Sequence, residues 1–472
     1  ANEEAKRRAR ERAARVLATL EAELLAAPWY SPEWLDAVVR QAPRAFDEAC
    51  DRWRTLYRAA RRQWEAQNKV IADATKSQQE KERARRLRRE AEAQLDLLTS
   101  ETNGSLLHSD FYSYRYFASE GFLPGYSFPR LPLSAYIPGR VRRRRDAEGD
   151  FISRPRFLAI SEFGPRTFVY HEGSVYQIER VILPVDATGR DGGLALGSAK
   201  WCAACGYLHP LGEGPGPDLC ERCGAPLAET LANLFRLQNV VTRRRQRINS
   251  DEEERVRLGF DVRTAFRFTA PGGRPASRSA RVELDGRAIA TLTYSDAATL
   301  WRVNLGWRRR TRAGKRGFAI DPQTGYWERN ELVDEGDRDP LGPAPSVVIP
   351  YVEDRKNCLV VEPAGRLDVP TLASLQAALK HGIGERYQLE DAELAAEPLP
   401  GPDDRRGILL YEAAEGGAGV LRRLVDDPGA LAQVAATALE LCHFDTATLE
   451  DLRLPPGGRH ECEAACYDCL MS

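Results

Sequence analysis

The sequence predicts a multidomain α+β protein, and three features of the chain support this fold class. Residues 1–102 are rich in Ala, Arg, Glu, Leu and Gln, a composition that favours helices. Short runs follow in which apolar and polar residues alternate, as expected of strands. Eight of the ten cysteines form two groups of four, a pattern that is typical of small metal-binding modules.

Composition and charge exclude several classes of protein. The 472 residues suffice for two to four domains, and 43% hydrophobic with 29% charged residues is typical of a soluble globular chain. The 68 basic and 69 acidic residues nearly cancel, so only local basic patches could attract nucleic acid. No apolar run approaches the roughly 20 residues that span a bilayer, and no signal peptide is visible. We therefore expect a cytoplasmic protein without a membrane partner.

The ends of the chain suggest that it is part of something longer. The first residue is not Met, and the last is only three residues beyond Cys469, which is predicted below to bind a metal. We therefore expect a fragment of a longer protein.

Residues 1–102 are predicted to form a helical arm or a helical hairpin. Only three prolines interrupt this region, and Ala59–Leu98 contains neither Pro nor Gly. A long helix with an antiparallel partner, in the manner of a coiled coil, fits this pattern.

The middle of the chain is predicted to be rich in β-strands. It comprises residues 103–200 and 227–365, on either side of a zinc-ribbon segment at 201–226. Before the ribbon, alternating runs at 156–160, 167–170 and 174–183 predict an antiparallel meander. After the ribbon, strand-like alternation resumes at 255–264, 281–284, 288–294 and 300–305.

Residues 366–472 are predicted to form a smaller α/β domain that is closed by the second group of cysteines. Pro370–Leu379 has a helical pattern, and Arg406–Tyr411 has that of a buried strand. Two further helices are expected between Gly419 and Leu441, separated by a Pro-Gly pair at 428–429.

The first group of cysteines predicts a structural zinc ion. Cys202 and Cys205 form one CxxC pair, Cys220 and Cys223 form another, and a glycine follows each pair. A CxxC turn directs two thiolates to one side, and the glycine permits the positive φ that closes such turns. Four thiolates leave no open coordination position for water, so the ion would be structural rather than catalytic.

The second group is less regular in its spacing. It consists of Cys442, Cys462, Cys466 and Cys469, and His443 and His460 are competing ligands. A disulfide cluster is disfavoured in the cytosol, so we expect a second zinc ion. Cys50 and Cys358 belong to neither group and are expected to be buried as small hydrophobic residues.

The sequence contains no recognisable catalytic motif. A nucleotide-hydrolysing motor needs the phosphate-binding pattern GxxxxGK[ST], which is absent. The Gly-rich segment 416–419 after the strand at 406–411 could hold an anion at a helix N-terminus, or could simply be a tight strand-to-helix connection. Whether the chain takes part in an enzyme therefore stays open.

Two clusters of basic residues, the first at 243–247 and the second at 307–316, are candidate nucleic-acid contacts. At the second cluster, Trp301 and Trp307 are interspersed with arginines, and an indole can stack on an unpaired base while guanidinium groups bind phosphates. Alternatively, the arginines pair with the acidic run 251–254 or lie solvated along a strand edge. The candidate residues are Arg243, Arg244, Arg245 and Arg247, and Trp307, Arg308, Arg309, Arg310, Arg312, Lys315 and Arg316.

The last part of the chain resembles a known family. Residues 408–421, Cys442 and the segment 462–470 are similar to the C-terminal zinc-binding domain of MrfA-like superfamily-2 DNA helicases. That domain also occurs in bacterial anti-phage systems such as DISARM and Druantia. Residues 111–132 and the ribbon resemble the region that follows the motor in the large defence helicases, so the resemblance covers residues 105–472.

The resemblance implies a function for the chain. It implies zinc on the second group of cysteines, a DNA substrate, and an ATP-driven motor that lies N-terminal to Ala1 or on a partner. ATP and Mg²⁺ would act only through that motor, because no ATPase residue can be transferred to this sequence. The chain would then be the accessory, DNA-engaging region of a helicase in phage defence or DNA repair, together with other defence-system subunits.

Two other functions are compatible with the residues. One is a separate helper subunit that docks on a helicase encoded elsewhere and acts as a scaffold. The other is an RNA-directed zinc-ribbon protein, although the sequence has no strand with the aromatic pattern of RNA-recognition domains.

Overall fold

A computed structural model describes most of the chain in two compact units. One unit comprises residues 1–131 and 184–186, and the other comprises residues 132–183 and 187–472. No helix among the described residues is long and apolar enough to cross a membrane. The described residues are 3–25, 30–31, 33–99, 116–117, 122–123, 132–138, 150–183, 194, 196–212, 214–247, 259–268, 277–308, 316–328, 345–413, 417–453, 462, 465–466 and 469–470.

The first unit is helical, as predicted. Its helices are α1 (Glu3–Ala18), α2 (Glu21–Leu25), α3 (Trp34–Ala72) and α4 (Gln78–Thr99). Helices α3 and α4 form an antiparallel pair, in which buried alanines permit close approach and the Trp53 indole donates to the carbonyl of Leu98 at 3.1 Å.

A capping box begins α4, the second helix of the predicted hairpin. The Glu80 amide donates to Ser77 Oγ at 3.2 Å, and the Ser77 amide donates to Glu80 Oε2 at 2.9 Å. These reciprocal bonds satisfy amides that the first turn of a helix leaves without partners. The hairpin therefore turns at 73–77.

The second unit combines strands and helices. Its helices are α5 (Arg156–Glu162), α6 (Val369–Tyr387), α7 (Val420–Asp426) and α8 (Ala430–Leu441). Its strands are β1 (Leu133–Ile137), β2 (Asp150–Arg154), β3 (Phe168–His171), β4 (Ser174–Val181), β5 (Gly197–Trp201), β6 (Leu208–Leu211), β7 (Thr230–Arg236), β8 (Val240–Arg247), β9 (Phe260–Phe268), β10 (Arg278–Leu284), β11 (Arg287–Trp307), β12 (Phe318–Ile320), β13 (Ser346–Pro363), β14 (Leu394–Pro400) and β15 (Arg405–Glu412).

Two sheets organise these strands. The first has the order β2-β1-β8-β4-β3, and the second runs β10-β11-β13-β7-β5-β6 with β9 paired to β11 and with β12 and β15 paired to β13. The strands β5 and β6 of the predicted zinc ribbon are part of this second sheet. The mixed α+β fold class is thus confirmed, and the ribbon extends the sheet rather than standing apart from it.

The prediction of a strand at 156–160 is wrong, because these residues form helix α5. Four residues of this segment are buried, namely Arg156, Ala159, Ile160 and Phe163. The last three lie three, four and seven residues after Arg156, a spacing that places all four on one face of a helix. Pro155 directly precedes the helix, where its missing amide N–H costs nothing. A short apolar run does not distinguish a strand from a buried helix.

The two strands predicted at 288–294 and 300–305 form one continuous strand. Strand β11 is continuous from Arg287 to Trp307, and its pairing with β13 shifts register between Ser295 and Ala298. A β-bulge of this kind bends a strand without ending it, so the interrupted alternation in the sequence suggested two strands.

The C-terminal helices cover one face of the second sheet. Apolar side chains of α6, α7 and α8 pack against residues of β11, β13 and β15 in one core cluster that includes Leu292, Leu359, Leu372, Ile383, Leu410, Leu421 and Val434. The predicted strand at 406–411 and the two helices separated by Pro428-Gly429 are confirmed as β15, α7 and α8.

A glycine on α6 permits its close packing on α8. A Cβ atom at Gly382 would lie 2.8 Å from the Cβ of Ala438 and 2.8 Å from the carbonyl oxygen of Val434. At Gly384, on the same helix, the nearest atom would be 3.7 Å away. Since both neighbours of Gly382 are backbone or Cβ atoms, the helices themselves would have to move apart.

The same substitution at these two glycines should therefore have opposite effects. We expect Gly382→Ala to lower the free energy of unfolding by about 1–3 kcal/mol through overpacking. Gly384→Ala should raise it by up to about 1 kcal/mol through helix propensity. Urea unfolding followed by circular dichroism measures both. Equal shifts for the two variants would contradict the close contact of α6 with α8.

Candidate metal centres

The first group of cysteines lies on two matching turns. The amide of Gly206 donates to the carbonyl of Cys202 at 2.9 Å, and the amide of Gly224 donates to that of Cys220 at the same distance. Both glycines have positive φ, at 76° and 72°. The sequence signal of a CxxC pair followed by glycine thus corresponds to two equivalent turns that face each other.

The four sulphur atoms of these turns could hold one metal ion. They lie within 4.8 Å of one another, with 3.5 Å between the sulphurs of Cys202 and Cys223 and 3.7 Å between those of Cys205 and Cys220. Sulphurs bound at about 2.3 Å to a tetrahedral zinc ion are about 3.8 Å apart. A disulfide would bring two of them to about 2.05 Å, and all ten cysteines are free thiols. The donor set therefore fits zinc.

Three of these cysteines are buried and belong to a core cluster with Tyr207, Phe266 and Leu399. Burial raises the pKa of the Cys205 thiol, and it raises that of Cys220 to about 11. Without a cation the thiols of Cys205 and Cys220 would stay protonated at neutral pH. Metal binding must therefore release their protons, and its free energy becomes part of the folding free energy.

Arg222, inside the second turn, ties this centre to strand β13. Its guanidinium donates to both carboxylate oxygens of Glu362, at 2.9 and 2.5 Å, and lies 5.4 Å above the ring of Phe266. Against the lowering effect of burial, the Glu362 carboxylate and the nearby Cys205 sulphur raise the pKa of this guanidinium. The positive charge offsets part of the negative charge that four thiolates keep after binding a divalent ion. Apart from its position between Cys220 and Cys223, nothing in the sequence indicates this role of Arg222.

The second group of metal ligands contains a histidine. Ligand atoms of His443, Cys462, Cys466 and Cys469 lie within 4.8 Å of one another. The sulphurs of Cys462 and Cys469 are 3.8 Å apart, and Nε2 of His443 is 3.1 Å from the sulphur of Cys466. Three thiolates and one imidazole are a common structural zinc set.

The end of helix α8 decides which side chain joins this group. Cys442 is its C-cap, and His443 follows with φ of 66°. The Phe444 amide donates to the carbonyl of Leu439 at 2.9 Å, and the His443 amide donates to that of Glu440 at 3.0 Å. This is the Schellman motif, which reverses the chain at the left-handed residue.

The chain reversal brings His443 into the group, whereas the sulphur of Cys442 is not in it. His443 is one of the two competing ligands that the sequence offers. The other, His460, lies outside the described residues. Helix α6 contacts this group, because Nδ1 of His381 is 2.5 Å from the carbonyl oxygen of Cys469. The sequence pattern does not indicate this contact of His381.

Like Cys442, the cysteines Cys50 and Cys358 are not part of either centre. Cys358 is fully buried in the core cluster around the first group, where burial raises its pKa to about 12, and Cys50 is half-buried on α3. Cys358 thus has the expected role of a small core residue.

The first basic cluster lies on strand β8. Arg243, Arg244 and Arg245 are exposed there. Arg243 pairs with Glu179 at 3.3 Å, and Arg245 donates to the side-chain oxygen of Gln177 at 2.9 and 2.5 Å. The side chain of Arg247 and the acidic run 251–254 lie outside the described residues.

The second basic cluster is described only in part. Trp307 stacks on Phe260, with ring centroids 4.6 Å apart, and the Nε of Arg308 donates to the carbonyl of Phe260 at 2.9 Å. Arg316 pairs with Glu229. Arg309, Arg310, Arg312 and Lys315 lie outside the described residues.

Of the two tryptophans at the second cluster, Trp301 is buried and Trp307 is partly buried. Trp301 is only 7% exposed, and its indole donates to Glu353 at 3.1 Å. Trp307 packs against the core cluster that contains Phe260 and Phe318. A base could therefore not stack on Trp301 without unfolding of the sheet around it.

A carboxylate of the protein itself occupies the N-terminus of helix α7. Glu412, at the end of β15, is 1% exposed and accepts hydrogen bonds from the amides of Gly419 and Leu421, both at 3.1 Å. The Asn357 amide also donates to it at 3.0 Å. These are the donors that an anion would need at a helix N-terminus. The amides of Gly419 and Leu421, which an anion would need at this helix N-terminus, are therefore already bonded to Glu412.

One family model agrees with the resemblance at the C-terminal end of the chain. Residues 375–470 match the MrfA Zn-binding domain. This segment contains the four residues whose ligand atoms lie together, His443, Cys462, Cys466 and Cys469. A solved structure, the crystal structure of DUF1998 helicase MrfA bound to DNA, matches 72% of this chain with 11% identity and a TM-score of 0.30. The matching region is 31% of that helicase chain, so this chain spans about a third of its length. The curated proteins give no match.

The metal content follows from the two groups. We expect about two zinc ions per chain by inductively coupled plasma mass spectrometry, because each group of four ligands holds one ion. Cys205→Ser and Cys466→Ser should each lower the content to about one. Cys50→Ser, which changes a thiol outside both groups, is the control and should leave two ions. A wild-type content near one zinc ion per chain would show that one of the two groups does not bind zinc.

The identity of the fourth ligand in the second centre can be tested with two neighbouring substitutions. We expect His443→Ala to lose one zinc ion and Cys442→Ser to keep both, because only His443 lies in the group. Zinc release to a chromophoric chelator should accordingly be faster from His443→Ala than from Cys442→Ser. Loss of zinc from Cys442→Ser with retention in His443→Ala would assign the ligand to the cysteine instead.

Proposed function

We propose that this chain is the accessory, DNA-engaging region of an ATP-dependent superfamily-2 DNA helicase that acts in bacterial anti-phage defence or DNA repair. The match of residues 375–470 to the MrfA Zn-binding domain carries the proposal, because the same residues assemble a metal centre. MrfA itself is described as a helicase bound to DNA. The chain would act in the cytoplasm.

In this proposal the two zinc ions are structural. Each centre supplies four protein ligands, which leaves no open position for an activated water. ATP and Mg²⁺ act through a helicase motor in cis or in trans, because the sequence lacks a phosphate-binding loop. Other defence-system subunits are further partners of such an assembly.

Strand β8 is the best-supported part of the proposed DNA contact. Its three exposed arginines are at neighbouring positions, and the hydrogen-bond partner of Arg245 is the neutral side chain of Gln177. Arg244 donates to another neutral group, Ser174 Oγ, at 3.3 Å. Only the Arg243 contact with Glu179 is an ion pair, and exposed pairs contribute little stability. Phosphates could therefore replace these contacts at small cost.

The proposal predicts how DNA binding depends on salt. Replacing Arg243, Arg244 and Arg245 with Ala should weaken binding of single-stranded DNA and reduce the slope of log affinity against log salt by about 2, since each phosphate contact contributes about 0.7. Fluorescence anisotropy of a labelled oligonucleotide at several salt concentrations measures both quantities.

A matched variant controls for the change in net charge. Arg7, Arg44 and Arg61 are exposed, and each pairs with a glutamate four residues later on a helix of the first unit. Their triple replacement with Ala removes the same charge and should leave the slope unchanged. If the wild-type chain does not bind DNA at all, the proposed function is refuted.

A further inference from the structure

Strand β3 exposes two aromatic side chains on one face. The strand is at an edge of the five-stranded sheet. Phe168 is 36% and Tyr170 is 37% exposed, whereas Val169 between them is 7% exposed and packs in the core. Large apolar side chains are normally covered, and two of them in alternate positions of one strand form a row.

The pairing of the strands places arginines on the same face as this row. Phe168 pairs with Gln177 of β4, and Gln177 pairs with Arg243 of β8. Directly paired residues lie on the same face of a sheet. Arg245 reaches the same face, because its guanidinium bonds to the side chain of Gln177. The face thus carries two rings at the edge and two guanidinium groups two strands away.

The spacing of these groups suits an unpaired nucleic-acid strand. Alternate residues of a strand are roughly 7 Å apart, and the second strand across is roughly 10 Å away. Neighbouring unstacked bases can reach both rings while their phosphates lie over β8. Duplex DNA cannot use the rings in this way, because its bases stack on one another.

We infer that this face, defined by Phe168, Tyr170, Arg243 and Arg245, is a binding platform for single-stranded DNA. The two rings stack on bases, and the two arginines bind the phosphates that flank them. The Glu179 carboxylate beside Arg243 is the one acidic group in these contacts, and it exchanges its partner for phosphate. The inference rests on the proposed function and adds the kind of DNA that is bound.

The rings can be tested separately from the charges. For the zinc-loaded 472-residue chain, Phe168→Ala with Tyr170→Ala should weaken binding of a labelled oligothymidylate by about fivefold to 150-fold per ring, as for other bases stacked on aromatics. The salt slope should stay unchanged, because no phosphate contact is lost. Affinity for a duplex of the same length should also stay unchanged.

Three further variants distinguish stacking from a structural role. Phe168→Leu with Tyr170→Leu keeps apolar cover without rings and should bind single strands as weakly as the alanine variant. Phe168→Trp with Tyr170→Trp should restore binding. Leu284→Ala with Ile289→Ala alters exposed apolar residues on the β10–β11 hairpin and should have no effect.

Several outcomes would overturn the inference while leaving the proposed function intact. They are binding of single strands by the alanine variant with wild-type affinity, full binding by the leucine variant, and tighter binding of oligouridylate than of oligothymidylate. A wild-type dimer that the alanine variant converts to a monomer would identify the face as a contact between two copies. Absence of all DNA binding by the wild type would instead refute the proposed function.

Discussion

Four electron-rich ligands that converge on one point constrain this structure more than any other interaction. In the first centre the sulphurs come from two short turns, and three of the cysteines are buried within a hydrophobic cluster. Burial raises the pKa of the Cys205 and Cys220 thiols, so these two would be protonated at neutral pH without a cation. A bound zinc ion would convert the four thiols into ligands and would fix β5, β6 and the segment that returns to β7. The edge of the larger sheet would then depend on the metal.

Partly buried ion pairs connect elements of the second unit. Arg222 joins the ribbon to Glu362 of β13, and Arg302 of β11 pairs with Glu397 of β14 while it donates to the carbonyl of Phe157 in α5. Ion pairs that are removed from water contribute little net stability, but breaking one leaves an uncompensated charge. Moving the joined elements apart would break the pair, and each pair therefore makes other positions of these elements energetically unfavourable.

The sequence predicted those features whose cause is local. Both CxxC turns, the break before α8 and the helical hairpin follow from residues within a few positions of one another. Features that depend on tertiary packing were missed: Arg156–Ile160 is helical because the core accepts one helix face, and Trp301 and Trp307 are covered by side chains from distant strands. His443 was visible as a possible ligand, but only the chain reversal after α8 distinguishes it from Cys442.

We expect the chain to fold around one zinc centre of four sulphurs and one of three sulphurs and a nitrogen. X-ray absorption at the zinc edge measures the average ligand shell directly. The structure predicts about 3.5 sulphurs at about 2.3 Å and about 0.5 nitrogen at about 2.0 Å per zinc ion. A shell of four sulphurs would contradict the histidine-containing centre, and a shell dominated by oxygen or nitrogen would contradict both.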